Sequence, residues 1–230
     1  MTTIMTDGKL NIFLAYTPVI VQTFNRTLIQ TSQFHIDYQP KILYYCATMS
    51  VQTHKLTKIA IVGPESTGKS TMAQYLANNL GTVCVPEYAR YYCRNLNRQY
   101  TLQDEINMFH GQLSLEEALS PLAKNNILIC DTTILTVKVW CDHLFGGTPV
   151  EIKTEITRRR YDLYLIMDID LPWEDDPLRD FPDQREHFRA VWEQELQAIN
   201  ANYTIASGLG INRLRQGLEN VRSFLKHHKT

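Results

Sequence analysis

Gly63-Pro64-Glu65-Ser66-Thr67-Gly68-Lys69-Ser70 constrains this chain more than any other stretch. It fits G-x-x-x-x-G-K-[ST], the phosphate-cradling P-loop. Its flanks fit as well. Lys58 to Val62 is short, apolar and β-branched, as a buried parallel strand should be. Beyond Ser70, the apolar residues Met72, Tyr75, Leu76, Ala77 and Leu80 recur at helical spacing until Gly81 stops them. A strand therefore runs into a glycine turn that opens a helix. Such a turn points backbone N–H groups at an anion, and the helix N-terminus adds partial positive charge. Lys69 is expected to reach the β- and γ-phosphates and the Ser70 hydroxyl to ligate Mg²⁺. The loop from Gly63 through Glu65, Ser66, Thr67 and Gly68 to Thr71 is expected to hold ATP.

The rest of the chain alternates strand and helix. Strands are expected at 82–86, 127–130, 161–167 and 203–206. Helices are expected from Glu87, from Thr101 (where Asp104 and Glu105 complete a capping-box-like start), over 134–145, 151–160, 186–200 and 211–226. This order gives an α/β fold: a P-loop NTPase of the kinase type, with a central five-stranded parallel sheet flanked by helices. Ligands are expected beyond the carboxyl ends of the strands. At 230 residues there is room for one such domain, placed at 57–228. Residues 1–56 differ from it, being poor in charge and rich in Thr, Gln and Tyr. They are expected to be a poorly ordered extension, either native or a start-site artefact, since a chain begun at Met49 keeps the whole domain. The apolar run from Leu10 to Val21 is broken by Asn11, Thr17 and Pro18 and is too short to span a membrane. A net charge of −1 lacks the basic excess of a nucleic-acid binder. The five cysteines form no C-x-x-C pair and read as reduced, cytosolic thiols.

Three further groups carry chemistry. Asp131 ends an apolar strand where it can hold Mg²⁺ through water or orient the attacking hydroxyl; the alternative is a cap on the next helix through Thr132 and Thr133. Glu87 and Arg90 follow the second strand and share a helix face, either as a surface ion pair or as a clamp on sugar hydroxyls and an anion. Tyr88, Tyr91 and Trp140 offer faces for a flat base. Arg179 and Arg185, with Arg189 beyond, sit in the Asp-, Pro- and Arg-rich segment after the fourth strand. There they read as a lid whose arginines meet transferring phosphoryl charge, or else as a solvated loop.

The stretch 63–71, Glu87-Tyr88-Ala89-Arg90, Asp131-Thr132-Thr133 and Trp173 to Arg179 together resemble the ribosylnicotinamide kinase domain of NadR-type proteins, over about residues 57–226. The resemblance implies phosphorylation of the 5′-hydroxyl of nicotinamide riboside by ATP–Mg²⁺. It implies Lys69 on the phosphates, Ser70 and Asp131 at the metal, Arg179 and Arg185 from the lid, and Ser207 beside the adenine. Two departures fall on the acceptor side: Thr133 stands where the family often has a third-position Asp, and Pro86 where an aromatic can precede the Glu-Tyr. A nucleoside or nucleotide kinase of other specificity, and a regulatory ATPase or GTPase switch without a small-molecule acceptor, remain open beside this reading. No guanine-recognition signature is present, which favours ATP.

Overall fold

The computed structural model describes residues 3–6, 9–12, 55–94, 96–176 and 178–228. The chain divides into two compact units, Met1–Gln52 and Thr53–Thr230. In the first, β1 (Thr3–Thr6) and β2 (Lys9–Ile12) pair as an antiparallel hairpin. The expectations for the rest of the extension, including most of the apolar run, lie outside the described residues. Among the described residues no helix is long and apolar enough to cross a membrane.

The second unit is an α/β layer structure. β3 (Thr57–Val62) runs into the glycine loop and α1 (Lys69–Leu80). Next come β4 (Cys84–Val85), α2 (Tyr88–Cys93) and α3 (Leu102–Leu119). β5 (Ile127–Asp131), α4 (Ile134–Phe145) and α5 (Val150–Arg158) follow. β6 (Leu163–Met167), α6 (Arg185–Ala198), β7 (Tyr203–Ala206) and α7 (Gly210–His227) complete it. The five strands are all parallel in the order β4-β5-β3-β6-β7, so β3 lies at the centre with β4 and β5 to one side. Counted from the P-loop strand, this is the order 2-3-1-4-5. The expected second strand shrinks to two residues, because it is an edge strand whose only ladder is with β5.

Period-two alternation sorts the strand residues between two cores. Ala60, Val62, Leu128, Cys130, Tyr164 and Ile166 pack on one face with residues of α3, α4, α5 and α6. Ile59, Ile61, Ile129, Leu165 and Met167 pack on the other with Met72, Ala73 and Leu76 of α1 and Leu218 and Val221 of α7. Because the central strands are covered on both faces, they read as unbroken apolar runs. The expected capping box on α3 is present: the Thr101 side chain accepts from Asp104 N–H, and the Asp104 carboxylate accepts from Thr101 N–H at 2.7 Å.

Gly111 of α3 is a close contact point between α2 and α3. A Cβ built there would lie 2.0 Å from the Tyr88 ring. Gly111→Ala should therefore lower the melting temperature. Overpacking costs about 1–3 kcal/mol, against a helix-propensity gain of at most about 1 kcal/mol. A melting temperature equal to or above the parent's would show that the ring moves aside freely.

Candidate active site

The carboxyl ends of β3, β5 and β6 open into a cleft of about 910 Å³. Its floor is the loop from Gly63 to Thr71. Three residues of this loop take positive φ: Gly63 (132°), Ser66 (57°) and Gly68 (78°). Gly63 is required by space as well as by φ, since a Cβ there would lie 2.8 Å from the carbonyl oxygen of Met167. No side chain caps the first turn of α1, whose N-cap is Gly68. Its N–H groups are thus left for an anion. Lys69 Nζ donates to Pro64 O at 2.8 Å. Burial lowers the affinity of this amine for its proton, and Glu87, Asp131 and Glu65 oppose that effect. The loop's geometry and its charge both suit the polyphosphate of a nucleotide.

Asp131 is 5 % exposed, and its Oδ1 is buried with no hydrogen-bond partner. Burial pushes its carboxyl up to about 6; the Ser70 hydroxyl pulls the other way, Glu87 reinforces the rise, and Lys69 and Arg90 oppose it. It is not the helix cap. Thr133 takes that place, its hydroxyl accepting from Leu135 N–H at 3.1 Å and Thr136 completing the box. Thr132, between them, is held in the left-handed region at φ 67°, a strained backbone of the kind that clusters at functional sites. An orphaned buried oxygen beside an exposed serine hydroxyl fits a hydrated Mg²⁺ held by Ser70 and Asp131.

The other expected residues divide. Glu87, Arg90 and Trp140 line the cleft. Arg90 pairs with Glu87 at 3.4 Å and also with Asp176 at 3.1 Å, so the clamp reaches the segment after β6 as well as its own helix. Trp140 stacks on Phe181, ring centroids 5.6 Å apart. Tyr88 does not line the cleft, because its ring packs on Gly111 of α3. Tyr91 is exposed. Ser207 also lies outside the lining, in the turn after β7, with its N–H on Gln216 Oε1 at 2.9 Å. Arg179 lines the cleft and donates to Ser66 Oγ at 3.2 Å. Arg185 does not; it donates to Leu171 O at 2.7 Å and lies over the Trp173 ring. Arg189 is engaged by Asp168 at 3.3 Å and Glu193 at 3.0 Å.

Three residues without a motif complete the site. Gln112 of α3 accepts from Tyr88 N–H at 2.8 Å and donates to Pro86 O at 3.3 Å, fixing the backbone on both sides of Glu87. Arg213 of α7 is buried and donates to Thr67 O at 3.0 Å, bracing the P-loop from behind. Glu105, only 2 % exposed, lines the cleft beside Met108 and Gln112 of the same helix. Their one sequence signal is a polar residue on an otherwise apolar helix face.

Fold and site define a P-loop nucleotide-binding protein with the strand order of P-loop kinases. Residues 58–213 match the AAA domain family, and the chain belongs to it. It is homologous at a distance to the trifunctional NAD biosynthesis/regulator protein NadR. Identity is 28% over 160 residues to the Salmonella typhimurium protein, covering 67% of this chain and 38% of that protein. It is 26% over 186 residues to the Escherichia coli protein, covering 77% and 45%. The chain thus spans less than half the length of these relatives. A crystal structure of NadR in complex with NAD and AMP-PNP superposes with a TM-score of 0.59 at 22% identity, over 73% of this chain and 49% of that one. Thymidylate kinase from Ehrlichia chaffeensis superposes with a TM-score of 0.52 at 16% identity, over 75% and 99%. The protein is a P-loop, small-molecule-kinase-like member of its family.

The raised Asp131 carboxyl sets a pH dependence. Its charge costs more in the folded than in the unfolded chain. That cost is absent below the ordinary value of 3.8 and complete above about 6. Asp131→Asn should therefore raise the melting temperature at pH 7.5, by at most about 3 kcal/mol in stability, and the gain should vanish as pH falls from 6 to 4. Melting curves across that range check it. A variant less stable than the parent at pH 7.5 would refute the assigned cost.

Proposed function

We propose that the protein is an ATP–Mg²⁺-dependent phosphotransferase acting on a small nucleoside-like acceptor, with nicotinamide riboside, phosphorylated to its mononucleotide, as the first candidate. The observation that carries this reading is Asp131. It ends the strand beside the P-loop strand, keeps a buried oxygen free of protein partners, and has surrendered helix capping to Thr133. In this reading the loop amides and Lys69 hold the β- and γ-phosphates. Ser70 and Asp131 would hold Mg²⁺, which would supply positive charge for the phosphoryl oxygens. Asp131, whose buried oxygen keeps no protein partner, is also the candidate base for the acceptor hydroxyl. Glu87 and Arg90 orient the acceptor, and Trp140 walls its ring. Arg179 meets the transferring group from the lid. The NadR similarity supports NAD biosynthesis as the setting.

One observation favours a second reading, a nucleoside or nucleotide kinase of other specificity. Thr133 is spent on capping, so the third-position carboxylate expected from the resemblance is missing from the acceptor side. An ADP-release assay against a panel of nucleosides and nucleotides, nicotinamide riboside included, separates the two readings. ATP consumption without any phosphorylated acceptor would sink both in favour of a regulatory ATPase.

Lys69→Ala should abolish turnover, since it removes a charge that stabilises the transferring phosphoryl group. Undiminished ATP consumption would overturn the site. The two lid arginines should separate. Arg179→Ala should lower kcat by about 10³ with little change in KM for ATP, as for a lost arginine finger. Arg185→Ala should act weakly and mainly through lid stability, because it donates to Leu171 O and lies over Trp173 without itself lining the cleft. The reverse ranking in steady-state kinetics would reassign the finger to Arg185.

A further inference from the structure

Glu105 has no structural duty to explain its burial. It projects from the first turn of α3 beside the capping residue Asp104, yet it takes no part in the capping box. Asp104 is fully engaged by Arg98 at 2.6 Å, by Tyr92 at 2.7 Å and by Thr101. Glu105 is 2 % exposed, and among the described residues no cation and no hydrogen-bond donor bears on it. It nonetheless lines the cleft, together with Tyr100, Met108 and Trp140. A buried carboxyl without a partner is costly, and a partner arriving with the ligand removes that cost. We propose that Glu105 is the counter-charge that selects an acceptor carrying a positively charged ring. This rests on the kinase reading above and names the acceptor's chemical class: a nucleoside whose base is a cation, held in an aromatic- and thioether-walled pocket against one buried carboxylate.

The same geometry dictates how binding responds to pH. Burial, with Asp104 beside it, pushes the Glu105 carboxyl up to about 8. A cation that binds must therefore displace its proton at neutral pH. The groups facing Glu105 do not titrate in that range. Cys93 of α2 is pushed up to about 11, Cys141 of α4 to about 12, and the Tyr100 phenol, donating to Asp180, also upward. Asp104 is held well below the usual carboxylate range by Arg98.

The test compares nicotinamide riboside with its reduced dihydro form, which is nearly the same shape without the charge, in the parent and in Glu105→Gln. The parent is expected to favour the cation by at least about tenfold in kcat/KM, and its KM for the cation should fall up to about tenfold from pH 7 to 9. Glu105→Gln should lose that preference through KM and lose the pH response, with the cation losing at least about tenfold more in kcat/KM than the reduced riboside. Glu105→Asp, with melting curves of both variants, guards against misfolding; it should keep part of the preference. Equal handling of the two ribosides by the parent, or a Glu105→Gln loss equal for both, would overturn the inference while leaving the kinase reading intact. If the parent phosphorylates neither riboside, the nicotinamide assignment falls. The inference then stands on 3-methylcytidine, a cation at neutral pH, being preferred over cytidine in a Glu105-dependent way, and fails if it is not.

Discussion

One buried guanidinium holds the nucleotide side of the molecule together. Arg213 reaches from α7 to three carbonyls far apart in the chain: Thr67 O in the P-loop at 3.0 Å, Asp168 O after β6 at 2.6 Å and Gly208 O after β7 at 3.2 Å. Asp170 closes the group at 3.1 Å and also accepts from Gly208 N–H. Burial lowers the guanidinium's hold on its proton, and Asp170 and Asp168 offset this. The planar fork suits the task, since one side chain satisfies several acceptors in fixed directions and a lysine would not. A loop pinned behind can present its amides forward, with no reorganisation left for the moment when phosphate arrives.

The two ends of the cleft are built from different materials. In the proposed reading the nucleotide end is mostly backbone: loop amides, a helix terminus and positive-φ residues, with Lys69 as the motif's own charge. The acceptor end in that reading is side chain: Glu87, Arg90 and Glu105 from two helices, Trp140 from a third and Asp131 from a strand end. Two carboxyls there have diverged. Burial pushes Asp131 up to about 6, with Lys69 and Arg90 opposing the rise, and pushes Glu105 further, to about 8, where among the described residues no cation opposes it. In the proposed reading, this divergence lets one cavity keep a base and a separate recognition group.

This difference in materials decides what was legible in the sequence. A backbone-built site must be written contiguously, so the stretch from Gly63 to Ser70 disclosed the fold, the strand that precedes it and the nucleotide end. Asp131 was legible because strand ends converge on the loop. The helix after it was placed correctly, but its cap was not settled, since Asp131 and Thr133 both have the chemistry for capping and only geometry shows which one turns inward. Tyr88 looked like a stacking face and instead fills the groove over Gly111, a contact across 23 residues that no local pattern records. Arg213 and Gln112 were invisible for the same reason, their partners lying 146 and 24 residues away. Periodicity marks them only as polar residues in helices. Nothing local says that their polar groups are buried.

The segment after β6 is fastened to the P-loop by two of the four residues that the motif leaves free, Glu65 and Ser66. Glu65 Oε2 accepts from Asp180 N–H at 3.2 Å and Phe181 N–H at 3.3 Å. Ser66 Oγ accepts from Glu174 N–H at 2.9 Å and from Arg179. The Arg90–Asp176 pair adds a tie from α2, so the acceptor clamp, the lid and the phosphate loop share partners. Net hydrogen bonds are worth about 1 kcal/mol each, and partly exposed ones less, so the latch amounts to a few kcal/mol at most. That is enough to favour a covered cleft and little enough to open for exchange. Because Ser66 lies in the loop's own left-handed turn, its backbone sets the direction in which Oγ meets Glu174 N–H and Arg179. The segment after β6 is thus tied to the loop by hydrogen bonds of defined direction, made by residues that also line the cleft floor.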